Sequence, residues 1–277
     1  MKNASPLRYP GGKWRFGSFF ERLVSLNFRQ PPIYIEPYAG GASLALSLLF
    51  AGTVGEIFLN DLAPAIYAFW YSVLKNGDDF IDLIRTTEIT PREWIRQRNV
   101  YAAGLATNRL RFGFATFYLN RTNHSGILNG GMIGGKDQSG DWKLNARFNR
   151  LELISRIKRI AEYRDRIHLS NLDAEDLIRS HSRGKNKLLY LDPPYYCAGQ
   201  RLYLNSYRPE DHAQVRNKVL ALRCKWVVSY DDVPEIRSLY RNQRSRRIKL
   251  LHTARVAHQG SEVMFFSPEL RIPSLPR

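Results

Sequence analysis

IYIEPYAGGASLALSLLF, residues 33–50, decides the fold. IYIEP reads as a short buried strand, AGGAS as a glycine-rich turn and LALSLLF as a helical run. EIFLND (56–61) follows as a second strand, and LAPAIYAFWYSVLKNG (62–77) as a second helix closed by Gly77. Strand, glycine turn, helix and strand in that order open a Rossmann-like parallel sheet. Downstream, RIHLSNLD (166–173), LLYLD (188–192) and KWVVSYDD (225–232) read as further strands, and KLLHTARV with SEVMFFS as a closing hairpin. The stretch from about 65 to 160 differs in texture. It is helical in pattern, rich in Arg and aromatics, and broken by one glycine-rich polar loop, TNHSGILNGGMIGGKDQSGDWK (122–143). The expected organisation is therefore a sheet domain from 1–64 and 161–277, with an inserted helical module at 65–160.

The chain has 277 residues, 44% of them hydrophobic, enough for one large α/β domain carrying an insertion. No stretch approaches the roughly 20 apolar residues that span a bilayer. The N-terminal MKNASPLRYPGGK lacks the apolar run of a signal peptide. Two cysteines, Cys197 and Cys224, cannot make a disulfide framework or a Cys-rich zinc site. A cytoplasmic protein with no membrane and no metal site is the expectation. Against 42 Lys and Arg stand 25 Asp and Glu, a net charge of +17. The isoelectric point near 10.1 is an electrostatic footprint of nucleic-acid binding. An ordinary basic surface would give the same sum. The prevalence of arginine, interleaved with Tyr, Phe and Trp, favours nucleic acid, because arginine pairs with phosphates and base edges and aromatics stack on bases.

Two constellations carry chemistry. In the first, Gly40 and Gly41 allow a sharp turn and close approach of a ligand. Asp61 ends the next strand at the offset where an acid commonly accepts hydrogen bonds from ribose hydroxyls. The turn is not G-x-G-x-x-G, which disfavours NAD. GGK (11–13) lacks the remainder of a phosphate loop, which disfavours ATP. A cofactor with ribose and no pyrophosphate fits, and S-adenosylmethionine is the common one. Lys13 offers a cation and Glu36 an anion for its methionine end.

The second constellation is LLYLDPPYY (188–196), a buried strand that ends on an acid and two prolines. Ligands of open α/β sheets sit beyond the carboxyl ends of the strands, where Asp192 falls. An exocyclic amine such as adenine N6 is a poor nucleophile because its lone pair is delocalised. The Asp192 carboxylate and the Pro193 carbonyl can accept its two N–H groups and free that lone pair. Pro193 and Pro194 fix the backbone in advance, and Tyr195 can stack on the base. Such a base must first leave the duplex.

Together these residues resemble the D12 class of DNA adenine-N6 methyltransferases, over most of the chain. RYPGGK (8–13) is similar to the family's N-terminal cofactor motif, EPYAGGAS (36–43) to its glycine motif, Asp61 to its ribose acid and DPPY (192–195) to its catalytic motif. YLNRTNHSG (118–126) resembles its DNA-contacting segment, YLNSY (203–207) the tract that closes over the extruded base, and SEV (261–263) a late strand motif. The resemblance implies that Tyr9, Lys13, Gly40, Asp61 and, at the adenine end, Asp173 contact S-adenosylmethionine. It implies that Arg121, Asn123 and Tyr207 touch double-stranded DNA, with Lys136 and Lys143 at its backbone. It also implies a monomer or weak dimer that can serve beside a cognate restriction endonuclease. Two positions depart from the pattern: Ala174, where an aromatic is common, and His252, where tyrosine is. Asp192 favours adenine over the cytosine-N4 enzymes, which have Ser there, and the glutamine enzymes, which have Asn. Neither cysteine has the setting of a cytosine-C5 nucleophile. An RNA substrate, or a DNA binder that keeps the fold without catalysis, is the competing expectation.

Overall fold

The structure, a computed structural model, describes residues 4–9, 13–196, 207–252 and 258–274. Gly11, Gly12, Cys197 and residues 203–206 of the closing tract lie outside them, as does the side chain of His252. The chain divides into two compact units. One holds Lys13–Ala63 with the described residues from Arg166 on, and the other Pro64–Asp165 with residues 4–9.

The first unit is built on one seven-stranded sheet. Its strands are β1 (Ile33–Glu36), β2 (Glu56–Asn60), β3 (Ile167–Ser170), β4 (Arg183–Leu191), β5 (Arg223–Asp231), β6 (Arg244–His252) and β7 (His258–Phe266). Their order is β3-β2-β1-β4-β5-β7-β6. The pairs from β3 through β5 are parallel, and β7 runs antiparallel to both β5 and β6. This is the Rossmann-like arrangement expected from residues 33–61. Parallel strands are covered on both faces, so they read as unbroken apolar runs. Leu188, Leu189, Tyr190 and Leu191 are all buried, as are Tyr34 and Ile35 of β1. Phe20 of helix α1 (Gly17–Asn27) packs edge-on against Tyr190 at 5.0 Å, and Tyr34 and Tyr190 stack across β1 and β4. Each such ring removes some 150–250 Å² from water and stabilises the sheet by a few kcal/mol. Strand order reverses between β1 and β4. Glu36 and Asp192 therefore end neighbouring strands that lead away in opposite directions, where a doubly wound sheet opens a ligand crevice.

The second unit is helical. Helices α3 (Pro64–Lys75) and α6 (Arg109–Thr122) form its centre. Gly113 makes their close crossing possible, since a Cβ there would stand 2.5 Å from the Ala68 carbonyl oxygen. Phe69, Phe80, Phe114 and Phe117 interlock around the crossing. No helix among the described residues is long and apolar enough to cross a membrane.

Candidate active site

The carboxyl end of β4 carries the acid and the two prolines. Pro193 and Pro194 are buried, and the Tyr196 N–H donates to Asp231 Oδ1 at 2.9 Å, which ties this segment to the end of β5. Asp192 retains 23% side-chain exposure. Its Oδ1 accepts a 2.7 Å hydrogen bond from Ser229 Oγ of β5 and lies 3.2 Å from Lys13 Nζ. Ser229 spends its hydrogen on Asp192, so the Tyr190 hydroxyl, 2.8 Å away, donates to Ser229. A directed relay, Tyr190 to Ser229 to Asp192, thus holds the carboxylate from behind. Burial, reinforced by the Glu262 charge, pushes the Asp192 carboxyl above its ordinary range, against the pull of Lys13 and Ser229.

Lys13 sits in the short turn Lys13–Phe16 that leads into α1 and is almost fully buried. Its ammonium lies 2.7 Å from both oxygens of Glu262 on β7 and 3.2 Å from the Tyr195 hydroxyl. The Tyr195 hydroxyl donates to Glu262 in turn. Burial alone would push the lysine down, but the carboxylates of Asp192 and Glu262 outweigh it and hold Lys13 well above its ordinary value. Three predicted residues, Lys13, Asp192 and Tyr195, therefore meet in one cluster. Lys13, however, is already paired with carboxylates of the chain rather than held ready for a cofactor carboxylate.

The glycine turn is built as a clamp. Gly40 (φ 46°) and Ala42 (φ 47°) both take the left-handed conformation, which costs the alanine about 1–3 kcal/mol. Asp61 fastens them: its Oδ2 accepts from the Gly40 N–H and its Oδ1 from the Ala63 N–H, each at 2.9 Å. Burial pushes the Asp61 carboxyl up to about 6 in spite of these bonds. Glu36 is buried, accepts from the Tyr34 hydroxyl at 3.0 Å and from the Ala45 N–H, and is pushed up to about 8, by burial first and then by Asp192. Asp173 is exposed and caps helix α8 (Ala174–Ser180), accepting from the Glu175 N–H at 2.8 Å. Tyr9 is half-exposed and belongs to the helical unit.

Residues 9–255 match the model of the D12 class N6 adenine-specific DNA methyltransferase family. This chain belongs to that family. No curated protein matches the chain significantly in sequence. Three solved structures are similar at low TM-score. A Pyrococcus horikoshii protein described as an RNA methyltransferase gives 0.45 at 9% identity, covering 94% of this chain and 85% of the other. The rRNA methyltransferase AviRa from Streptomyces viridochromogenes gives 0.44 at 13% identity, covering 94% and 87%. A SAM-dependent methyltransferase from Agrobacterium tumefaciens gives 0.43 at 10% identity, covering 92% and 62%.

The cofactor of this D12 methyltransferase is S-adenosylmethionine. The strand ends suit it on charge. Glu36, Asp61 and Asp192 end three adjacent strands, and burial raises all three carboxyls. A ligand that brings a sulfonium and an ammonium offsets the desolvation of those carboxylates, which a pyrophosphate would aggravate. Each Asp61 oxygen keeps a second lone pair for a ribose hydroxyl.

The helical unit of this D12 family member holds the other predicted contacts except Tyr207. Arg121 of α6 is half-buried and donates through Nε to the Arg147 carbonyl at 2.7 Å. Burial, and then the charges of Arg8, Arg156 and Arg147, pull its guanidinium down to about 9. Asn123 lies inside the helical unit. It is fully buried: its Oδ1 accepts from Trp94 Nε1 at 2.7 Å and its Nδ2 donates to the carbonyls of Ile127 and Leu128. These bonds shape the loop from within. Lys143 is exposed, yet its ammonium closes its own loop on the carbonyls of Gln138 (2.7 Å) and Gly140 (3.1 Å). Lys136 is exposed. Tyr207 belongs to the sheet unit, half-buried, its hydroxyl 3.0 Å from that of Tyr38.

Ser229, Tyr190 and Glu262 were not assigned a role from the sequence. SEV drew notice as a motif with no chemistry attached. A lone serine in the apolar run WVVSY was the only trace of Ser229.

Proposed function

We propose that this chain methylates N6 of adenine in duplex DNA, acting on a base turned out of the stack, and that its helical unit is the DNA-recognition module. The observation that carries the reading is the fixed Asp192 carboxylate. Its Oδ1 is held by Ser229 and Lys13, and it sits directly before two buried prolines. Asp192 accepts one N6–H and the Pro193 carbonyl the other, which pulls the amine toward tetrahedral geometry and localises its lone pair. The cofactor, when bound, supplies a methyl group on a positively charged sulfur that leaves as a neutral thioether. Asp192 holds the N6 proton through transfer and releases it to solvent afterwards. Tyr195 faces the base, and Tyr207 borders the closing tract. Glu36, Gly40, Asp61 and Asp173 line the cofactor's side.

DNA as substrate is supported by the family, by the net charge of +17, and by the arginines around Arg121. Guanidiniums converging beside Glu152 gain from an anion such as a backbone phosphate. Nucleoside mass spectrometry of unmethylated plasmid DNA, incubated with the protein and S-adenosylmethionine, tests the reading. N6-methyladenine is the expected product. N4-methylcytosine would overturn the target base, and methylation confined to structured RNA would overturn the substrate.

A further inference from the structure

We propose that Glu262 is a positioning residue of the methyl-transfer site: it divides the Lys13 ammonium with Asp192 and fixes the Tyr195 hydroxyl, leaving Asp192 a strong acceptor. The inference rests on the reading of Asp192 as the acceptor of the amine.

The geometry closes a ring around one ammonium. The Lys13 ammonium donates to both Glu262 oxygens at 2.7 Å and to the Tyr195 hydroxyl at 3.2 Å, and it forms an ion pair with Asp192 Oδ1 at 3.2 Å. Because the Tyr195 hydroxyl donates to Glu262, its oxygen is the acceptor for Lys13. Glu262 therefore fixes two groups at once, and it does so from β7, antiparallel to β5 and paired through Asp231. It is 1% exposed, so its charge is compensated inside the protein.

The distances also rank the two carboxylates. Both Glu262 oxygens lie at 2.7 Å from the ammonium, but the Asp192 oxygen lies at 3.2 Å. The cation is mostly committed to Glu262. Asp192 Oδ1, the more distant acceptor, takes the smaller share of the ammonium's charge. The groups facing Asp192 are Lys13 from the turn before α1, Tyr34 and Glu36 from β1, Tyr190 from β4, Ser229 from β5 and Glu262 from β7. Lys13 is the one cation in that set. Removing Glu262 deletes a like charge and frees Lys13 to turn wholly onto Asp192. Removing Lys13 strands two carboxylates beside each other. The two changes must move Asp192 in opposite directions.

The test uses the full chain labelled with 13C at the aspartate carboxyls, the Asp192 resonance being assigned by its loss in Asp192→Asn. The Asp192 midpoint is expected to fall in Glu262→Gln and to rise in Lys13→Met, each by about 1 pH unit or more. Midpoints that do not move, or that move the same way, would overturn the proposal. Glu262→Asp, which keeps the charge one methylene further back, serves if the glutamine variant does not fold, and its midpoint is expected to lie near that of the wild type. On unmethylated DNA, kcat in Glu262→Gln is expected to fall on the order of 10- to 100-fold, with cofactor affinity unchanged by calorimetry. A wild-type kcat in that variant would also overturn it. A wild type that methylates no nucleic acid would sink the functional reading instead, and the Asp192 titration would still decide the case of Glu262.

Discussion

The two units spend their buried polar groups differently. Among the described residues of the sheet unit, the buried ionisable side chains include Lys13, Glu36 and Glu262, gathered with Asp192 near the carboxyl ends of the central strands. In the helical unit the buried polar side chains are amides and hydroxyls, among them Asn120, Asn123, Thr116 and Gln97, while its charges remain at the surface or half-buried. Asn120 donates to the carbonyls of Arg8 and Gly126 and accepts from the Arg8 N–H, and Thr116 and Thr122 bond back to their own helix. A buried charge is costly and must be compensated, so it is kept where chemistry needs it. A buried amide is neutral and can be satisfied entirely by backbone, which suits a scaffold.

The largest expected effect falls on the sheet unit. Asp192→Ala should lower turnover by at least about 10²–10⁴-fold while cofactor binding, followed by calorimetry, stays near that of the wild type. Turnover retained in this variant would break the assignment of buried charge to catalysis.

The helical unit should answer differently. Asn123→Ala leaves the indole N–H of Trp94 and the carbonyls of Ile127 and Leu128 without their partner. An unfolding free energy lower by roughly 2–4 kcal/mol is expected from denaturant titration. DNA affinity of the folded fraction should be unchanged. A variant of normal stability that binds DNA poorly would restore the contact role that the sequence implied.

Glu36 sharpens the comparison through pH. Its folded-state value near 8 lies above the ordinary 4.5. Such a group contributes stability that is fully present below about 4.5 and lost as pH rises through about 8, up to a few kcal/mol in all. Glu36→Gln removes that slope. Its melting temperature relative to wild type should therefore rise between pH 5 and pH 9, and S-adenosylmethionine, being cationic, should stabilise the wild type more at the higher pH. A gap between the two proteins that is constant with pH would show that Glu36 titrates in the fold as it does in the unfolded chain.

What could be read in advance follows the same division. The sheet was legible because local sequence dictates it: an apolar run, glycines at a turn that needs left-handed backbone, and prolines that must end β4. The place of Asp192 at the carboxyl end of β4 was legible because the two prolines after it must end the strand. Glu262 was not, since its partner Lys13 is 249 residues away and no local pattern reports that pairing. The place of Asp61 at the end of β2 was legible, but its bond to the Gly40 N–H was not. The burial of Asn123 was not legible, because a polar residue in a polar motif looks exposed and only the fold of residues 118–133 turns it inward.

The smallest expected effect tests the helical unit's surface. Arg121 is held by one backbone bond and surrounded by like charge from Arg8, Arg147 and Arg156. If that cluster meets a DNA phosphate, Arg121→Gln removes about one phosphate contact. Affinity should then weaken by a similar factor for every sequence, and the slope of log affinity against log salt should become shallower by about 1. Specific base readout would instead relax discrimination at one position and leave the slope unchanged. The two results separate a scaffold that grips the backbone from one that reads the bases. If DNA binding and its salt dependence match the wild type, the arginine cluster has no part in either.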